Sequence, residues 1–78
     1  MKIEVNKNQQ EINFKTHVGT IIMMAQQTAN GGRNGFKYPI PRNAGTSAHD
    51  LIDEVEEQTE DTVYGVVRDG HINFSIRS

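Results

Sequence analysis

The sequence predicts an α+β domain with its elements in the order ββααββ, and three observations predict it. Two β-rich runs near the C-terminus flank Asp69-Gly70, a weaker alternation of the same style opens the chain, and two stretches between them space their apolar residues at helical intervals.

At the N-terminus, Ile3 and Val5 alternate with polar residues, as do Ile12 and Phe14. A turn centred between Asn8 and Gln9 pairs Val5 with Ile12 and Ile3 with Phe14, whether its loop is short or slightly longer. Over Thr16–Ala29, Val18, Ile21, Ile22, Ala25 and Ala29 fall on one helical face, with Thr16 as N-cap and Asn30-Gly31-Gly32 as the stop. The continuous run Ile21-Ile22-Met23-Met24 also admits a strand through Thr20–Gln26. A connection over residues 30–46 follows, holding both prolines and four of the seven glycines. The second helix starts where Ser47 and Asp50 approximate a capping box, and Ala48, Leu51, Ile52 and Val55 form its apolar stripe.

The C-terminal hairpin carries the clearest signal. Asp-Gly suits a type I′ turn, which pairs Arg68 with His71, Val67 with Ile72, Gly65 with Phe74 and Val63 with Ile76. Val63, Val67, Ile72, Phe74 and Ile76 then share one face, while Tyr64, Val66, Asn73 and Ser75 share the other. Gly65 opposite Phe74 leaves room for the ring to lie across the neighbouring strand. The expected assembly is an antiparallel sheet of two hairpins with both helices on one face, residues 1–78 making a single domain.

Composition narrows the function classes. Counting Gly and leaving out Tyr, 32 of 78 residues are apolar, somewhat below the usual share of about 45–50%. A core this thin supplies roughly 3–5 kcal/mol, so a homo-oligomer is expected. With no Cys, the chain is neither a disulfide scaffold nor a Cys-based zinc module. No apolar run is long enough to span a membrane and no secretory leader is visible, so the expected location is cytoplasmic. The formal net charge of −2 makes a general nucleic-acid coat protein an unfavoured reading.

The charges are sorted along the chain. Residues 50–61 hold seven of the ten acids and no base, whereas residues 30–49 hold Arg33, Lys37 and Arg42 and no acid before Asp50. Within the long connection, each proline favours extended backbone before it, so Phe36, Lys37, Tyr38, Ile40 and Arg42 form a stiff basic arm. Aromatics beside Arg and Lys are enriched at binding hot spots. The plainer reading has Phe36, Tyr38 and Ile40 packing down as a short edge strand that closes the core. At the end of the arm, Arg33, Arg42, Thr46 and Ser47 could gather an anion at the second helix's N-terminus, although Asp50 competes for the same N–H groups. Asp50, Asp53, Glu54 and Glu57 line one side of that helix, either as a solvated face or as an acidic contact surface.

No catalytic set stands out. The three histidines are scattered, His49 and Asp53 make only a two-residue metal pair, and no serine has a suggestive His/Asp context. The expected function is therefore a non-catalytic regulator or inhibitor, in the style of a phage or mobile-element accessory protein, with no cofactor and no metal. Its expected partner is a protein, bound through Arg33, Phe36, Lys37, Tyr38 and Arg42, through the acidic helix, or through both. The alternatives are an oligomeric binder of a nucleotide or other phosphorylated ligand, and a single-stranded nucleic-acid binder that stacks bases on Phe36 and Tyr38.

Overall fold

Between Lys2 and Val18 the chain has neither Gly nor Pro, and Lys, Glu and Gln recur through it. Nothing there breaks a helix. The computed structural model describes residues 2–41 and 47–77, with side chains described from residue 12 onward, and it forms one 29-residue helix, α1 (Lys2–Asn30). This corrects the expected N-terminal hairpin and settles the helix-or-strand alternative for residues 20–26 in favour of the helix. The alternation of Ile12 and Phe14 has a helical explanation, because residues two apart lie on nearly opposite sides of a helix. Ile12 is accordingly 57% exposed while Phe14 is half-buried against the core. Thr16 is an interior residue, not a cap: its hydroxyl donates to the Ile12 carbonyl at 2.8 Å. The predicted stop is real. Arg33 N–H donates to Thr28 O and Gly32 N–H to Ala29 O, both at 3.0 Å, with Gly32 at φ 78°. That is a Schellman ending, and its left-handed residue is a glycine.

Three strands follow: β1 (Gly35–Pro39), then, after helix α2 (Ala48–Gln58), β2 (Val63–Arg68) and β3 (His71–Ile76). They form an antiparallel sheet in the order β1-β3-β2. The chain order is thus α-β-α-β-β with three strands, not ββααββ with two hairpins. The place expected for the N-terminal hairpin beside the C-terminal one is taken by β1, the short edge strand of the plainer reading.

The C-terminal hairpin has the expected register: Arg68 faces His71, Val67 faces Ile72, Gly65 faces Phe74 and Val63 faces Ile76. Asp69 and Gly70 both have positive φ, 52° and 75°, as a type I′ turn requires. Gly65 is needed for space. A Cβ there would come within 2.8 Å of Phe74 Cε1 and 2.9 Å of Phe74 Cδ1.

The core lies between the helices and one face of the sheet. Val18, Ile21 and Ala25 of α1 and Leu51, Ile52 and Val55 of α2 are buried with Tyr38, Val63, Ile72 and Phe74. Phe36 lies stacked on Phe74, ring centroids 5.3 Å apart. Ser47 is the N-cap of α2 as expected, yet its side chain makes no capping hydrogen bond. Helix α2 ends in a second Schellman arrangement: Asp61 N–H donates to Glu56 O at 2.8 Å and Glu60 N–H to Glu57 O at 3.2 Å. Here Glu60 fills the left-handed position at φ 53°, and Asp61 follows at φ 63°.

Both sheet edges are blunted against further pairing. The edge of β1 carries Pro39, which has no N–H to offer, and Lys37. On β2, Gly65 N–H reaches Glu56 Oε2 at 3.4 Å and Val63 N–H donates to Thr59 Oγ1 at 3.2 Å. The open sheet face, rather than an edge, is what the fold leaves available.

Candidate functional site

Side chains alternate across a strand, so a sheet packed on one face displays every second residue on the other. With Phe36, Tyr38, Val63, Ile72 and Phe74 turned to the core, register places Lys37, Asn73 and Val66 in one row on the outer face. A second row holds Gly35, Ser75 and Tyr64, and a third holds Pro39, His71 and Arg68. Over these rows lies a shallow depression of about 500 Å³, lined by Lys37, Val66, Arg68, Asp69, His71, Asn73 and Ser75.

This face collects cations from distant parts of the chain. Lys37 comes from β1, Arg68 from the end of β2, and Arg77 follows β3. The guanidinium carbon of Arg77 stands 5.2 Å from the Tyr64 ring centroid, a cation–π contact. Arg77 is held there by its Nε, which donates to Asp61 O at 3.3 Å, and by its backbone N–H, which donates to Thr62 O at 2.7 Å. His71 Nδ1 lies 3.2 Å from Asp69 O. Among the described residues, Asp69 at the hairpin tip is the carboxylate lining the depression. The centre of the face is uncharged: Val66 is 59% exposed and Tyr64 38% exposed, with the Asn73 amide and Ser75 hydroxyl beside them. The carboxylates of α2 lie in the helical layer on the other side of the sheet, with Asp50, Asp53 and Glu57 exposed and Glu54 half-buried. Glu54 accepts a hydrogen bond from Gln58 at 2.8 Å.

The structure separates the residues of the expected basic arm. Lys37 joins the open face. Phe36 packs on Phe74 instead of pointing outward, and Tyr38 is buried, so neither ring is displayed as the arm reading required. The physical reason is β pairing: Phe36 opposes Phe74 and Tyr38 opposes Ile72, which puts both rings on the core side. The Tyr38 hydroxyl shares a 2.6 Å hydrogen bond with His17 Nδ1, and burial raises its pKa above the usual phenol value. Arg33 is exposed just after α1, beside a separate shallow groove with Met24, Gln27 and Thr28. Arg42 and Thr46 lie outside the described residues, so of the expected anion site at the start of α2 only Arg33 and Ser47 are described. Among the described residues no group of three or more His, Asp or Glu gathers as a metal site, and no helix is long and apolar enough to cross a membrane.

The residues that sequence reasoning missed are Arg68, His71 and Arg77. Their signal was present, since hairpin parity already places Arg68 and His71 on the face of Tyr64, Val66, Asn73 and Ser75. Parity could not add Lys37, which reaches that face through β1 pairing with β3. No protein-family model matches the chain, nor does any curated protein or solved structure compared with it, so the functional reading rests on this geometry.

Proposed function

We propose that the protein is a small non-catalytic binding domain that takes a phosphate-bearing polyanion across its open sheet face. One observation carries this reading. Lys37, Arg68 and Arg77 come from separate segments and lie around the uncovered face, while the acids of α2 occupy the opposite layer. The net charge of −2 therefore hides a polarised molecule, and an anion approaching the sheet meets an attractive field.

Binding should release counterions. Three cation–phosphate contacts give a slope of log K on log salt of about −2, or a loss of roughly 15-fold between about 50 and 200 mM salt. The test titrates the protein with inorganic polyphosphate and with a single-stranded oligonucleotide over that range. Lys37→Ala and Arg68→Ala should each weaken binding and flatten the slope by about 0.7. Salt-independent binding, or binding as tight as wild type by both variants, contradicts the reading.

A second reading, a regulator or inhibitor that docks a basic protein partner, is supported by the exposure of Asp50, Asp53 and Glu57 along α2. It predicts that the triple variant Asp50→Asn, Asp53→Asn, Glu57→Gln loses its partner in a pull-down. Unchanged capture removes α2 from the contact.

A further inference from the structure

We infer that the polyanion is a single-stranded nucleic acid, with its phosphates on the peripheral cations and its bases over Tyr64, Val66 and Asn73; this rests on the polyanion reading above. The cations surround the face and leave its middle uncharged. Lys37 and Arg68 belong to the two outer strands, which lie about 10 Å apart across β3. Arg68 and Arg77 mark opposite ends of the hairpin, separated by the length of β3, about 20 Å. A bare phosphate polymer gains nothing from the space between them.

That space has the chemistry of a base platform. Val66 exposes 59% of its surface, and Tyr64, 38% exposed, presents a ring with the Arg77 guanidinium carbon 5.2 Å from its centroid. Aromatic rings and guanidinium planes are the surfaces on which unpaired bases stack. Asn73, in register between Lys37 and Val66, adds an amide that can both donate to and accept from a base edge. A duplex hides its base faces inside the stack and would set its charged backbone against Val66. A single strand instead brings π faces to the apolar centre and phosphates to the periphery.

The experiment measures anisotropy of a labelled single strand, with the matching duplex and inorganic polyphosphate as competitors at equal phosphate concentration. The single strand should bind more tightly than either competitor. Tyr64→Ala should weaken it by about 5- to 150-fold, the range for loss of one stacking partner. Because Tyr64 also anchors Arg77, part of that loss extends to polyphosphate, so Asn73→Ala serves as a second variant that disturbs no described packing contact and should lower single-strand binding alone. Equal competition by polyphosphate, or wild-type binding of the strand by both variants, overturns this inference and leaves the polyanion reading standing. Binding of none of the three probes overturns both.

Discussion

Replacing Gly65 by Ala adds one methyl group at the point where the sheet has least room. The new Cβ would stand 2.8 and 2.9 Å from Phe74 ring carbons and 3.1 Å from Ile72 Cγ2, whereas non-bonded carbons rest at about 3.5–4.0 Å. The ring cannot retreat easily, because Phe74 is fully buried and stacked on Phe36. Overpacking of this kind costs about 1–3 kcal/mol. At this chain length the whole domain holds roughly 3–5 kcal/mol, so a loss of about 2 removes near half of it. The thermal midpoint should fall by about 8–16 °C, followed by circular dichroism and checked by urea unfolding. Gly65 lies in ordinary strand geometry without a positive φ. Elsewhere in such geometry Gly→Ala stabilises by about 0.4–1 kcal/mol, so a net loss isolates the clash. Phe74→Leu in the Gly65→Ala background should recover part of the loss, giving a favourable coupling in a double-mutant cycle. A Gly65→Ala midpoint equal to or above wild type would refute the packing described for the hairpin.

Three further outcomes follow from the backbone and the core. Glu60→Gly relieves a left-handed non-glycine residue at the end of α2 and should raise stability by about 0.5–1 kcal/mol in denaturant unfolding; a decrease would show that Glu60 is not strained there. Burial raises the pKa of Tyr38 above 10.0 in the folded state. The unfolded chain therefore loses this proton first, so the tyrosine's contribution is complete below about pH 10 and declines as pH rises through the folded value. Tyr38→Phe should remove that part of the alkaline loss, and it deletes the hydrogen bond to His17, worth about 0.5–1.5 kcal/mol near neutral pH; an unchanged alkaline profile contradicts the assignment. Gln9→Pro separates helix from hairpin: inside α1 it unwinds the preceding turns and lowers the far-UV helical signal, whereas a turn tip would tolerate it.

Much of the fold was legible where a local rule had no competitor. Asp69-Gly70 fixes its own turn, and the turn fixes the register of Val63 through Ile76, including the space opposite Phe74. Leu51, Ile52 and Val55 likewise suffice to orient α2. The N-terminus was ambiguous because four apolar residues at Ile3, Val5, Ile12 and Phe14 suit period two by chance, while the helical signal lay in the absence of breakers before Gly19. The basic arm misled for another reason. Phe36 and Tyr38 are equally good hot-spot and core residues, and only long-range pairing of β1 with β3 decides which way they face. That same pairing brings Lys37 beside Asn73, so one of the three cations of the candidate face depended on a contact between residues far apart in sequence.

The most direct measurement is an amide NMR titration of the intact chain with a short single strand at low salt. Shifts should concentrate at residues 37, 64, 66, 68, 73, 75 and 77, across all three strands, with the amides of α2 unmoved. Changes confined to the acidic helix, or a spectrum indifferent to the strand, would contradict a binding surface on the open side of the sheet.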